Sequence, residues 1–125
     1  MSADRILSWY VDTLQGDNLS IGPVHIADRD YRPHVARVYA KTPPGAGDMT
    51  FDIKDDGVSI FGSVLPRLRK GQNAEDVAED FLGDAATIAR YSLLTLDLPV
   101  NATSGVTVQL ELVAEQDDEV ADSDT

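Results

Sequence analysis

The feature that most constrains this chain is a strict alternation of apolar and polar residues in short runs. The runs Leu94–Leu98 and Val106–Leu112 show it best, with an apolar side chain at every second position. Successive side chains of a strand point to opposite faces of a sheet, so each run has one face for a core and one for water. The alternation therefore predicts strands of antiparallel sheets.

Further alternating runs lie earlier in the chain, at residues 6–14, 19–26, 34–41 and 49–61. Gly22-Pro23 interrupts the second run, so we expect a sheet edge or a bulge there. The stretch Asp28–Pro33 is predicted to be a loop, and Thr42–Gly47 ends a strand because proline cannot donate to a ladder. Asp55-Asp56-Gly57 is the clearest hairpin turn, with glycine supplying a positive φ.

The stretch Asn73–Leu82 has two interpretations. With Asn73 as N-cap, acids in the first turn and Val77 four residues before Phe81, it predicts a short helix. An extended crossing loop is the alternative. Seven or eight strands with regular turns and one long crossing predict an all-β fold, an antiparallel β-sandwich of jelly-roll or Ig-like type.

The 125 residues suit one domain, which we expect to cover residues 1–114, with 1–33 supplying the first strands or an arm. The last eleven residues, Glu115–Thr125, hold six acids and no base. Such a self-repelling polar segment cannot bury enough surface to offset its ordering entropy, so the tail is predicted to be disordered. An acidic arm that docks on a basic partner is the alternative.

The net charge of −12 argues against nucleic acid as a partner, because a duplex binder needs a basic face. The chain has no cysteine, which excludes disulfides and thiol chemistry. No run approaches the roughly 18 apolar residues of a membrane helix. The start Met1–Arg5 also lacks the pattern of a signal peptide. We therefore expect a soluble protein with no membrane partner.

Searches for catalytic and metal-binding patterns give no candidate. Asp52–Gly57 resembles the start of a calcium loop, but Lys54 and Ser63 occupy the positions that need an oxygen ligand and a bidentate glutamate. His25 and His34 lack zinc-site spacing. The many carboxylates make chance pairs inevitable, so a hydrolase has no specific support. We expect a protein that is not an enzyme, with no catalytic residue, no cofactor and no metal.

Two groups of residues are candidates for an interface. The full set is Trp9, Tyr10, Tyr31, Tyr39, Arg67, Arg69 and Lys70. The four aromatic residues offer a platform for sugar rings; the alternative places Trp9 in the core and the tyrosines at its margin. The three basic residues stand out on an acidic chain, and arginine is favoured at interfaces. A solvated loop is the alternative for the basic stretch.

Several motifs occur in a recognisable order. They are Ala40-Lys41-Thr42-Pro43-Pro44-Gly45, Phe51-Asp52-Ile53, Asp56-Gly57-Val58-Ser59-Ile60-Phe61, Ser92-Leu93-Leu94-Thr95-Leu96-Asp97 and Gly105-Val106-Thr107-Val108-Gln109-Leu110. Their order and spacing resemble a small β-sandwich domain of structural proteins of tailed bacteriophages, including tail, fibre and head-surface proteins. The resemblance covers about Val35 to Val113; Met1 to Pro33 lies outside it.

This resemblance implies a structural component of the virion, such as a capsid decoration protein or a tail-associated accessory protein, assembled in the host cytoplasm. Its partners would be other capsid or tail proteins, with the chain present as a homo-oligomer or as many copies on a lattice. The resemblance carries no catalytic residues and leaves head and tail open. A glycan-binding module for host adsorption, recognising a host surface glycan, is the alternative function.

Overall fold

The computed structural model describes residues 4–11, 21–61, 65–77, 87–103 and 105–115. Within these ranges the chain forms strands and no helix, which confirms the all-β prediction. The strands are β1 (Arg5–Val11), β2 (Ile21–Ile26), β3 (Tyr31–Ala40), β4 (Met49–Asp55), β5 (Val58–Ser59), β6 (Arg67–Leu68), β7 (Ala74–Val77), β8 (Leu93–Val100) and β9 (Val106–Ala114).

The strands form two antiparallel sheets that pack face to face as a β-sandwich. Sheet A has the order β1-β9-β3-β7. Sheet B has the order β2-β8-β4-β5, and β6 also pairs with β4. The chain crosses between sheets repeatedly, so most neighbouring strands are distant in sequence; β4 and β5 are an exception, joined by a tight hairpin.

The core lies between the two sheets and is built from the alternating positions that the sequence indicates. On β9, for example, Val106, Val108 and Leu110 are buried, and on β8 so are Leu94 and Leu96. Other core residues include Trp9, Ala36, Val38, Ala40, Met49, Phe51, Ile53 and Leu98. Burying this apolar surface is the main favourable contribution to folding. The bulge expected at Gly22-Pro23 is also present, as a register shift between Ile21 and His25.

The helix interpretation of Asn73–Leu82 is wrong for its first part. Ala74–Val77 forms β7, which pairs antiparallel with β3 from Tyr39↔Ala74 to Ala36↔Val77. One side of β3 is taken by β9, and β7 satisfies backbone groups on the other side that a helix would leave unpaired. This pairing outweighs a local helix preference, which is a weak influence on structure. Residues 78–82 lie outside the described part of the chain.

The loop prediction for Asp28–Pro33 is also wrong in part, because β3 already begins at Tyr31. The backbone N–H of Tyr31 donates to Ile88 O at 2.9 Å, and the Ile88 N–H donates back to Tyr31 O at 2.7 Å. The pairing of β3 with β9 shifts register between Pro33 and Val35. At such an irregularity a proline, which has no backbone N–H to donate, is tolerated. The long-range bridge to Ile88, which sequence alone does not reveal, extends the strand.

The β4–β5 hairpin has the turn that the sequence predicts. Lys54 pairs with Ser59 and Asp55 with Val58, which leaves Asp56-Gly57 as a two-residue loop. Both loop residues have positive φ, 50° and 88°, as in a type I′ turn. The strand ends at Ser59, and the two residues that follow it, Ile60 and Phe61, are both buried, so strict alternation does not continue beyond the strand.

The turn predicts the effect of changing Gly57. Gly57→Ala is expected to lower the free energy of unfolding by about 1–2 kcal/mol, because a side chain disfavours positive φ. A Cβ at Gly57 would meet no atom within 4 Å, so the loss would come from the backbone alone. Urea denaturation followed by circular dichroism measures it.

Gly45→Ala is the matched control. A Cβ there also meets nothing within 4 Å, and Gly45 is not among the glycines with positive φ. We expect a change within about 0.5 kcal/mol, as for ordinary surface substitutions. Equal losses for the two variants would contradict the turn assignment.

Candidate functional site

The outer face of sheet A presents two exposed tyrosines in one row across three strands. Tyr10 on β1 and Tyr39 on β3 both lie opposite Thr107 on the central strand β9. The two side chains are 53% and 51% exposed. Their neighbours Trp9 and Val38 point into the core, so the pleat of each strand directs the tyrosines to the opposite face. We call the row Tyr10–Thr107–Tyr39 the tyrosine row.

A second, polar row runs beside the first. Gln109 on β9 lies opposite Ser8 on one side and Arg37 on the other. Arg37 forms an ion pair with Glu111, which holds its guanidinium across the β3–β9 boundary. The face therefore places hydrogen-bonding groups next to aromatic rings.

The two rows enclose a groove of about 320 Å³ at the β7 side of the face. It is lined by Arg37, Val38, Tyr39, Ala74, Thr107 and Gln109. Ala74 lies opposite Tyr39 on the edge strand β7. The volume is at the small end of the range for ligand pockets, and the lining combines an aromatic ring with a few polar groups, as ligand pockets do.

Trp9 and Tyr31 do not belong to this face, so their prediction as interface residues is wrong; the alternative that places Trp9 in the core is confirmed. Trp9 is fully buried, with its ring edge-on to His25 at a centroid distance of 4.9 Å. Tyr31 is 2% exposed, and its hydroxyl donates to Asp28 Oδ1 at 2.5 Å. Burial raises the pKa of Tyr31, and the Tyr31 hydrogen bond lowers the pKa of Asp28. Both rings contribute to the interior of the sandwich, where a large aromatic surface is most stabilising.

The basic stretch lies on the other sheet. Arg67 and Leu68 form β6, with Arg67 exposed, Leu68 buried, and Arg67 3.5 Å from Asp48. The backbone N–H of Lys70 donates to Asp48 Oδ1 at 2.8 Å, and this bond contributes most to the lowered pKa of Asp48. Arg69 and Lys70 are exposed. The stretch thus contacts Asp48 in the loop that precedes β4. It lies on sheet B and the tyrosine row lies on sheet A, so the structure does not bring the two together.

The two histidines occupy separate positions. His25 Nε2 lies 2.8 Å from the Ser8 carbonyl oxygen, a bond that links β2 to β1 across the edge of the sandwich. His34 is exposed on β3. In the ranges that the structure describes, no three His, Cys, Asp or Glu side chains are grouped so that they could hold a metal ion.

A buried pair of carboxylates on sheet B is a feature that sequence reasoning missed. Asp52 on β4 lies opposite Asp97 on β8, and the two are only 6% and 4% exposed. Asp97 Oδ2 is 2.9 Å from Lys54 Nζ, and the Ser59 hydroxyl donates to Asp52 Oδ1 at 2.7 Å. The alternation places both aspartates on the outer face, and no local pattern signals that this part of the face is buried.

Burial is the main cause that raises the pKa of Asp52, and the negative charge of Asp97 adds to it. The Ser59 hydrogen bond and the Lys54 charge lower the pKa but offset only part of the increase. The Asp97 hydrogen bond in turn raises the pKa of Lys54. The ionised form of Asp52 is therefore less favourable in the folded protein than in water.

Exposed apolar side chains gather at one end of sheet B. Ile26 and Leu93 lie opposite each other on β2 and β8, and Val24 shares the face of Ile26. Tyr91 is joined to the same end by its N–H, which donates to Ala27 O at 2.8 Å. The sheet B apolar patch consists of Val24, Ile26, Tyr91 and Leu93, each 45–67% exposed.

The raised pKa of Asp52 gives a pH prediction with a definite sign. Between that pKa and the ordinary value of 3.8 the folded state binds more protons than the unfolded chain, so this group stabilises the fold as pH falls through the window. Asp52→Asn, which removes the charge, is expected to raise the free energy of unfolding at neutral pH. The gain should shrink as the pH approaches 3.8, and urea denaturation across the acid range measures it.

Asp97→Asn is the contrasting variant at the opposite position. It removes the partner of Lys54, so we expect it to lower the free energy of unfolding at neutral pH. If Asp52→Asn is destabilising and its effect does not change with pH, the electrostatic account of this pair is wrong.

No stretch of the described chain forms a helix with the length and hydropathy needed to cross a membrane. Comparisons of the chain with protein-family models, with curated proteins and with solved structures find no match. The functional interpretation therefore depends on the geometry of these surfaces and on the order of the sequence motifs.

Proposed function

We propose that this chain is a non-enzymatic structural component of a tailed-phage virion, a capsid decoration protein or a tail-associated accessory protein. A sequence resemblance and the fold support the proposal. The motifs from Val35 to Val113 resemble those of phage structural domains, and the chain forms the β-sandwich that this resemblance implies. The sheet B apolar patch provides a surface through which such a part could attach.

The apolar patch is the observation that carries the proposal. Ile26, Tyr91 and Leu93 are 56%, 67% and 45% exposed, although the sandwich already has a filled core. Ile26 and Leu93 are paired across β2 and β8, and neighbouring exposed apolar side chains on a folded domain are typical of a contact site for another protein. Aromatic residues and arginine are enriched at such contacts, and here the Arg90 guanidinium lies 4.7 Å from the centre of the Tyr91 ring.

Charge favours a partner other than a second copy. Each chain has a net charge of −12, so two copies repel each other at close range. An apolar contact with an underlying shell or tail protein avoids most of that cost. Many copies docked in this way on a repeating lattice would be held by the sum of small contacts.

The direct test is an inventory of purified particles by quantitative mass spectrometry. We expect the chain to be present in many copies per particle and to stay bound through density-gradient purification. Its absence from intact, purified virions would refute the proposal.

A pair of variants tests the attachment surface. The double variant Ile26→Ser with Leu93→Ser removes apolar area worth about 2 kcal/mol on burial. We therefore expect its affinity for particles that lack the protein to fall roughly thirtyfold. Val100→Ser, at the far end of the same strand β8 and 48% exposed, is the matched control and should bind normally. Equal binding by all three proteins would show that the patch is not the contact.

A further inference from the structure

We propose that the outer face of sheet A binds a neutral, extended oligosaccharide of β-1,4-linked hexoses, with Tyr10 and Tyr39 each stacking on one sugar ring. The site is distinct from the attachment surface on sheet B and does not depend on the function proposed for that surface. Its residues lie on β1, β9 and β3, which form one continuous antiparallel surface.

The spacing of the two tyrosines carries the inference. They stand on strands that flank β9, each opposite Thr107, so they are two strand spacings apart, about 9.5 Å. In an extended β-1,4-linked chain every hexose is turned over relative to the one before it. Rings two apart therefore present the same face, at about the separation of the two tyrosines. A chain running across the strands could stack on both rings and leave its middle sugar over Thr107.

The polar row beside the tyrosines supplies groups that hydroxyls need. Ser8, Gln109 and Arg37 lie one row further along the same strands, about 7 Å away. The carboxamide of Gln109 both donates and accepts hydrogen bonds, and the guanidinium of Arg37 donates. A hexose has apolar ring faces and polar hydroxyl groups around its edge. Tyrosine rings that stack on the faces, with polar side chains beside the hydroxyl groups, match this arrangement.

The groove at the Tyr39 end provides a site for the terminal sugar of the oligosaccharide. Ala74 leaves room on the edge strand, and the 320 Å³ volume accommodates about one or two sugar units. Tyr10 lies outside the groove lining, so it would contact a sugar further along the chain. The site therefore requires an oligosaccharide, and a single hexose would engage only one tyrosine.

Charge selects neutral sugars. Arg37 is already paired with Glu111, and the whole chain has a net charge of −12. A uronate or a sialylated glycan would be repelled by this excess of negative charge. Neutral hexoses, with or without N-acetyl groups, carry no such penalty.

The experiment is isothermal titration calorimetry of the full chain with four defined probes. Cellohexaose and N-acetylchitohexaose are neutral extended β-1,4 chains; maltohexaose has the same composition as cellohexaose with a curved α-1,4 backbone; hexagalacturonate is charged. We expect binding of at least one β-1,4 probe and at least tenfold weaker binding of the other two. Absence of binding by both β-1,4 probes up to millimolar concentrations overturns the proposal, and so does equal binding of maltohexaose.

Variants locate the site. Tyr10→Ala and Tyr39→Ala are each expected to weaken binding about tenfold, the loss of one stacking contact. Tyr39→Phe keeps the ring and should retain most of the affinity. Tyr91→Ala is the matched control, because Tyr91 is 67% exposed but lies at the apolar end of sheet B. Unchanged affinity in both Tyr10→Ala and Tyr39→Ala overturns the assignment, as does an equal loss in Tyr91→Ala.

Incorporation into particles separates this inference from a protein contact on the same face. We expect Tyr39→Ala to be incorporated normally while it loses sugar binding. If Tyr39→Ala is not incorporated into particles and the original protein binds no sugar, then the tyrosine row contacts another protein. That result also overturns the proposal. The attachment variants on sheet B should keep their affinity for the sugar, so failure of one proposal can be told from failure of the other.

Discussion

The pairing of β9 with β1 on one side and with β3 on the other is the interaction on which the rest of the structure depends. It joins the first described strand to the last and makes β9 the centre of sheet A. The inner residues of β9, such as Val108 and Leu110, then face the core, while Thr107 and Gln109 face outward. Because sheet A needs the last strand at its centre, it cannot be complete until nearly the whole chain is available, and such non-local pairing is typical of slowly folding sandwiches.

The same pairing creates the tyrosine row. Tyr10 and Tyr39 are 29 positions apart in the sequence, and no local sequence motif links them. Antiparallel register places both opposite Thr107. The backbone hydrogen bonds that place β9 at the centre of sheet A are therefore the same bonds that bring the two tyrosines into one row. A change of register by one residue would bury the tyrosines and expose the core.

Sheet B shows how the fold accommodates charge. Asp52 and Asp97 are nearly buried on a face that alternation assigns to water, and the hydroxyl of Ser59 and the ammonium of Lys54 lie within hydrogen-bonding distance of them. Such a network costs desolvation energy that its hydrogen bonds offset only in part, which is why the pKa of Asp52 is raised. At the Ile26–Leu93 end of the same sheet, apolar side chains remain exposed. Sheet B thus departs from simple patterning in two opposite ways.

The sequence by itself determined the strands with a strict period of two, the turn at Asp56-Gly57 and the inward positions of β8 and β9, because these depend on side-chain alternation and local backbone preference. It also indicated Tyr10 and Tyr39 as candidates and gave a core position for Trp9 as an alternative, but it did not indicate that Tyr31 is buried. Only the tertiary structure decided that Ala74–Val77 is a strand, that Asp52 meets Asp97 and that two distant tyrosines share a row. Each of these depends on pairing between residues far apart in the chain, which local patterns do not encode.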